Sequence, residues 1–237
     1  MIDINCDMGE GVGNEAELMP YINSANIACG YHAGDVETME QVIQLCLQHN
    51  VHVGAHPSFL DRENFGRTTM QLPPEEIYTL IKDQLTIIGT VAKKCGAKLQ
   101  HVKPHGALYN MAARDVTIAK TIAQAVKDFD ASLIYYGLSG SVMIAEGTKL
   151  GLRTADEVFA DRTYQSDGSL TPRTQSNALL QDKDAVINQV VKFVNENKVI
   201  AITGEEIFVK ANTICIHGDG AHAVEFAKAI YKQLHEE

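Results

Sequence analysis

Six short strand-like runs in this chain each break off into a polar tip, and four of the six tips carry a histidine. The runs are Asp3-Ile4-Asn5-Cys6-Asp7-Met8-Gly9-Glu10, Asn26-Ile27-Ala28-Cys29-Gly30-Tyr31-His32 and Val51-His52-Val53-Gly54-Ala55-His56. Then follow His101-Val102-Lys103-Pro104-His105, Glu157-Val158-Phe159-Ala160-Asp161-Arg162 and Thr213-Ile214-Cys215-Ile216-His217-Gly218-Asp219. Helical stretches separate most of them. When parallel strands close into a barrel, their carboxyl ends gather on one rim, so residues more than two hundred positions apart come to face one another. A pocket lined with ionisable groups is the expected result, and an enzyme is the leading reading.

After each tip the apolar period lengthens from two toward 3.6. Met39, Val42, Ile43, Cys46 and Leu47 recur at helical spacing behind Asp35, which is placed to cap that helix. Pro73-Pro74-Glu75-Glu76 opens a helix that runs to Cys95 and stops at Gly96. Further helices are expected over 116–129, 142–150, 184–197 and 221–234, with strands at 133–136 and around Arg153. Two short strands, 199–203 and 207–210, read as a hairpin inserted before the last barrel strand. The count is about seven β/α units, one short of the eightfold barrel. No Pro-, Gly- or Ser-rich linker divides the chain. The expectation is an α/β protein, one TIM-like (β/α) barrel domain spanning 1–237.

Strand alternation decides which side chains face the lumen. Asp3, Asn5 and Asp7 share one face of the first strand, against Ile2, Ile4 and Cys6. His52, Gly54 and His56 share a face of the third. His101, Lys103 and His105 do so in the fourth, and Thr213, Cys215, His217 and Asp219 in the last. The apolar sets must meet the helices, so the polar sets point inward. A lumen that serves only stability is filled with branched apolar side chains. Acids, a lysine and histidines there are costly unless they pair or do chemistry. Asp7, His32, His56, Lys103, His105 and His217 are therefore the candidate catalytic residues. His49, His52, His101, His222 and His235 are assigned no chemistry.

A net charge of −10 in 237 residues argues against direct binding of nucleic acid or an anionic membrane surface. No apolar run is long enough to span a bilayer, and no leader precedes the first strand, so a cytoplasmic location is expected. Five widely spaced cysteines with no Cys-x-x-Cys pair fit reduced thiols. No helical His-x-x-x-His pair marks a metal, so no metal ligands are assigned and metal binding by this chain is left open. No Gly-x-x-x-x-Gly-Lys-Ser/Thr loop occurs, so an ATP site of that kind is absent.

The segments 3–11, 24–35, 53–67, 103–110 (Lys-Pro-His-Gly-Ala-Leu-Tyr-Asn), 157–173 and 215–220, in this order, resemble the LamB/YcsF lactam-utilisation family. They cover nearly the whole chain. The resemblance implies a barrel of the glycoside hydrolase/deacetylase type. It also implies ATP-dependent opening of 5-oxoproline (pyroglutamate) to glutamate, ATP entering as co-substrate with Mg, in a complex with two companion subunits. Self-association is left open. Glu10, Asp61, Asn110, Asp161 and Asp219 are then taken as substrate-binding positions, with Arg62, Arg67, Arg162 and Arg173 as candidates to clamp the substrate carboxylate. Relatives tend to carry glycine, proline and glycine where this chain has Ser58, Leu60 and Asn64. Asn64 tolerates the left-handed conformation and is expected to preserve that turn.

In the mechanism this implies, phosphate transfer to the lactam oxygen activates a poor electrophile, and a water deprotonated by Asp7, His56 or His105 attacks the carbon. Lys103, expected to pair with Asp3 or Asp7, supplies positive charge. Two other classes compete: a metal-dependent amidase or deacetylase working without ATP, built from Asp7, His56, His105 and His217, and a lactam-binding subunit without catalytic activity.

Overall fold

Parallel pairing organises the chain into a closed barrel of seven strands. The structure is a computed structural model that describes residues 2–235; Met1, Glu236 and Glu237, at the ends of the expected 1–237 span, lie outside the described residues. In chain order the strands are β1 (Asp3–Met8), β2 (Ser24–Ala28), β3 (His52–His56), β4 (Leu99–Val102), β5 (Ile134–Leu138), β6 (Arg153–Phe159), β7 (Lys198–Ile200), β8 (Glu206–Phe208) and β9 (Thr213–Ile216). The barrel runs β1-β2-β3-β4-β5-β6-β9, and β9 closes it by pairing with both β1 and β6. The antiparallel pair β7-β8 forms the inserted hairpin, shorter than its sequence suggests.

The helices are α1 (Glu15–Leu18), α2 (Val36–His49), α3 (Pro74–Lys94), α4 (Gly106–Ala112), α5 (Val116–Phe129), α6 (Val142–Lys149), α7 (Lys183–Glu196) and α8 (Ala223–His235). Capping sets several starts. Asp35 accepts the Thr38 amide at 2.8 Å, which makes it the cap of α2. Asp182 accepts the Ala185 amide at 2.9 Å, so α7 begins ahead of the expected Asp184. The short helix α4 has no counterpart in the sequence reading, because its seven residues are too few to show a period. It makes His105 a residue beyond β4, at the mouth of a helix.

Side chains sort as alternation requires. Ile4, Cys6, Ile27, Ala55, Val102, Val158, Ile214 and Ile216 are fully buried against helix residues such as Ile43, Ile81, Leu85, Ile88, Ile122 and Val126. This apolar shell between sheet and helices supplies the hydrophobic stabilisation. The lumen is lined largely by polar groups. At its amino end Asp3 accepts hydrogen bonds from Ser24, Thr213 and Tyr136, which corrects the expectation that Asp3 is available to Lys103. One layer up, Asn5 donates to Thr213 at 2.6 Å and Asn26 donates to Asn5 at 2.7 Å. His101 donates to Asn26 at 2.7 Å and stacks on Tyr136 with ring centroids 4.3 Å apart. His52, at the open amino end of β3, is exposed.

Gly54 is what admits His101. A β-carbon at Gly54 would lie only 2.0–2.4 Å from three atoms of the His101 ring, so the lumen at this level holds one large side chain because its neighbour has none. Gly54→Ala should destabilise the protein by roughly 1–3 kcal/mol through overpacking. His101→Ala in the same chain should return part of that loss, read as a coupling energy in urea denaturation of the two single variants and the double variant.

Candidate active site

The carboxyl ends of the strands hold the chemistry. Lys103, 2 % exposed, follows β4 and extends its ammonium into the lumen. It lies 2.9 Å from Asp7 Oδ1, 2.9 Å from Glu157 Oε1 and 2.9 Å from Cys215 Sγ. Asn26 also donates to Asp7 Oδ1 at 2.7 Å, and Tyr109 donates to Glu157 Oε2 at 2.7 Å. Burial works against a charged lysine, but Asp7 above all, with Glu157, outweighs it and raises the ammonium's pKa well above its usual value. Burial alone would likewise raise Asp7, yet positive charge at His56 and Lys103 holds the carboxyl well below the usual range. Burial pushes the Cys215 thiol well up, so it stays protonated at neutral pH.

Beside this ion group sits a knot of imidazoles. His56 and His105 meet edge to face, ring centroids 4.8 Å apart, with His105 Nδ1 2.9 Å from His56 Nε2. His32 stacks on His105 at 3.9 Å, and its Nε2 lies 3.1 Å from Glu10 Oε1. Across the lumen, His217 Nδ1 lies 2.8 and 3.0 Å from the two oxygens of Asp161. That carboxylate orients the ring and makes Nδ1 the donor to it. Among the described residues two sets gather potential metal donors, Glu10 with His32, His56 and His105, and Asp7 with Cys215 and His217.

A cavity of about 620 Å³ opens above these groups. Asp7, His56, Lys103, His105 and His217 line it, and so do Arg67, Asn110, Arg162 and Arg173. The remaining sequence candidates lie elsewhere. His32 and Glu10 stand behind His56 and His105. Asp161 orients His217, and Asp219 pairs with Arg67 at 2.6 Å. Arg62 is outside the cavity lining, and its Nη1 donates to the carbonyls of Gly30 and Gly34, both at 2.8 Å. Asp61 is likewise spent inside its own loop, accepting from Asn64 at 2.7 Å and from the Thr68 amide at 3.1 Å. Arg162 reaches the cavity, but it also donates to the carbonyls of Ala178 and Thr171.

The loop after β3 corrects a further expectation. Asn64 is not left-handed; Phe65 and Gly66 are, at φ 57° and 66°. That turn aims the Phe65 carbonyl at His105 Nε2, 2.9 Å away. Gly66 is required twice over, since a β-carbon there would strike Ser58 Oγ and crowd His105 and His32. Sequence reasoning also passed over Glu157, Tyr109 and Arg114. Glu157 shares the lumenal face of β6 with Phe159, opposite the core residue Val158, and that parity was the available signal. Arg114 follows α4, which itself left no trace in the pattern.

A (β/α) barrel whose strand ends converge on buried acids, a lysine and histidines belongs to the class of barrel enzymes with the site at the carboxyl rim. Its family follows from comparison: the chain belongs to the LamB/YcsF family, which it matches over residues 2–237. It is 51 % identical to the 5-oxoprolinase A-subunit of Staphylococcus carnosus, over all of this chain and 96 % of that one. It is also 51 % identical to the protein of the same name from Tolumonas auensis, covering 98 % and 95 % of the two chains. A solved lactam utilization protein from Thermus thermophilus superposes with a TM-score of 0.92 at 40 % identity, covering 99 % of this chain and 96 % of that one. A family 4 carbohydrate esterase from Streptomyces lividans shares the fold alone, with a TM-score of 0.52 at 11 % identity over 98 % and 88 % of the chains. Among the described residues no helix is long and apolar enough to cross a membrane.

Lys103→Met would leave Asp7 and Glu157 facing each other without a cation. We expect a loss of roughly 3–5 kcal/mol at neutral pH, as for a buried pair stripped of one partner. Asp7 ionises more readily in the folded protein, so its stabilising contribution is fully present above the ordinary carboxyl pKa of about 4 and is lost as pH falls through its lower folded value. Acid therefore costs the wild type more than the variant. Chemical denaturation at pH 7 and at pH 3.5 should show the gap between them narrowing.

Proposed function

We propose that this chain is the lactam-binding, ring-opening component of an ATP-dependent 5-oxoprolinase, converting 5-oxoproline to glutamate together with companion subunits. The observation that carries the reading is full-length identity of 51 % to relatives named as the 5-oxoprolinase A-subunit. The cavity supports it chemically. Four arginines, Arg67, Arg114, Arg162 and Arg173, line its walls in a chain of net charge −10, and Lys103 lies at its floor. That arrangement suits a small anion whose carboxylate, and later phosphate, must be held.

In this reading the companions phosphorylate the lactam oxygen with ATP and Mg, since this chain has no phosphate loop. Water then adds to the ring carbon that bears the phosphorylated oxygen, and His217, held by Asp161, takes the proton. The ring C–N bond breaks as the proton passes to the nitrogen, leaving an acyl phosphate. A second water releases phosphate and yields the new carboxylate. Lys103 and the arginines stabilise negative charge on the oxygen and phosphate throughout. His217 thereby takes the base role that the sequence distributed over Asp7, His56 and His105.

The test is glutamate release from 5-oxoproline by the isolated chain and by the chain mixed with its companions, each with and without ATP. We expect turnover only in the complete, ATP-supplied mixture; full activity of the chain alone, or ATP-independent turnover, would overturn the reading. In the active assembly His217→Asn should lower kcat about 10²–10⁴-fold, the usual worth of a general base, with little change in KM. Arg173→Ala should act mainly on KM.

A further inference from the structure

The imidazole knot contains a contact between two ring nitrogens that needs a cation, a proton or a metal ion, between them. His56 Nδ1 lies 2.7 Å from the Lys103 carbonyl, which can only accept, so Nδ1 carries the hydrogen. His105 Nε2 lies 2.9 Å from the Phe65 carbonyl, and by the same rule it carries the hydrogen there. Each neutral ring then presents a lone pair at its other nitrogen. Those two atoms, His56 Nε2 and His105 Nδ1, face each other at 2.9 Å. Glu10 Oε1 stands 3.2 Å from the second and 3.8 Å from the first. Asp7 Oδ2 is 3.5 Å from His56 Nε2. With both rings neutral, electron pairs converge on one point, which calls for a cation there, a proton or a metal ion.

Charge leads to the same point. Asp7 and Glu157 face the Lys103 ammonium, while Glu10 faces the imidazoles of His32, His56 and His105. A cation held between Glu10 and these rings, a proton or a metal ion, would balance its charge.

We propose that this point is a site for a divalent transition-metal ion, held by His56 Nε2, His105 Nδ1 and Glu10 Oε1, with its remaining position toward the cavity. Two imidazoles and a carboxylate suit zinc or manganese and not a hard ion such as calcium. An ion about 2.1 Å from each donor in tetrahedral geometry separates the donors by about 3.4 Å, and the three separations here, 2.9, 3.2 and 3.8 Å, bracket that value. The edge-to-face setting of His56 and His105, 85°, lets one ion lie in both ring planes. His32 is excluded as a fourth ligand by its own geometry. It is stacked on His105 with planes 9° apart, and one ion cannot lie in two parallel planes. Its part is to hold Glu10 through Nε2, as outer-shell partners of metal ligands do. The inference stands on the donor atoms and does not depend on which substrate the cavity takes.

The experiment is calorimetric titration of the chelator-stripped, folded chain with zinc chloride and, separately, manganese chloride, with metal content measured after dialysis. We expect one ion per chain and a rise in Tm that grows with metal concentration. Glu10→Gln and His105→Gln should each weaken binding by roughly 100-fold or more, and His32→Gln by about 10-fold. His217→Gln should leave it unchanged. Circular dichroism checks each variant's fold. Should a variant not fold, side-chain ¹⁵N spectra of the wild type decide instead: metal must move His56 Nε2 and His105 Nδ1 and leave His217 in place. No ion retained, an ion retained undiminished by Glu10→Gln and His105→Gln, or one lost only with His217→Gln would each overturn the proposal. In the first case an imidazolium signal from the pair would assign the missing charge to a proton.

Discussion

The ammonium of Lys103, enclosed by Asp7, Glu157 and Cys215, is the interaction on which the rest of the site depends. It ties β1, β6 and β9 to the end of β4 across the lumen, so four strands of the closed sheet share one electrostatic centre. A cation at such depth is tolerable only when it is paired and hydrogen-bonded, and here the ammonium donates to Asp7 and Cys215 at 2.9 Å and is ion-paired with Glu157 at 2.9 Å. The layers beneath extend the same logic. Asn5 donates to Thr213, Asn26 donates to both Asn5 and Asp7, and His101 donates to Asn26 while stacking on Tyr136. Strand register is thereby specified by polar partners: a slip of one residue would turn each of these groups into the apolar shell.

The barrel itself was legible in the sequence because its two periods are unambiguous. Alternation in 3–8 and 213–216 separated Asn5, Asp7 and Cys215 from Ile4, Cys6 and Ile214, and the structure seats them on those faces. Helices α2, α3 and α5 announced themselves by cap, proline or long apolar stripe. What failed was short or irregular. The seven residues of α4 span two turns, too few for a period, and with α4 went Arg114 and the precise setting of His105.

At the site, residue type and strand position brought the histidines, Asp7 and Lys103 to one rim, but partner choice was beyond the sequence. Asp61 and Arg62 lie in a matching segment and carry the right charges, yet Asp61 closes its own loop and Arg62 bonds the carbonyls of the loop after β2. Asp3 and Asp7 are equivalent by alternation and differ only in depth, which depends on barrel tilt. The orientation of His56 and His105 is set by two main-chain carbonyls, and nothing in a residue string reveals which carbonyl will turn inward.

Phe65 is one of those carbonyl bearers, and its conformation has an evolutionary consequence. At φ 57° a bulky residue is strained, and glycine or asparagine would relieve the backbone. Yet its ring packs edge-on against both His32 and His105, at 5.6 and 5.3 Å, and Arg67 lies over its face. Drift at this position is therefore opposed from two directions: residues that ease the main chain uncover the imidazoles, and residues that cover the imidazoles keep the main chain tense. An aromatic residue persisting in an unfavourable turn is the mark by which divergent members that keep this histidine arrangement could be told from those that have lost it.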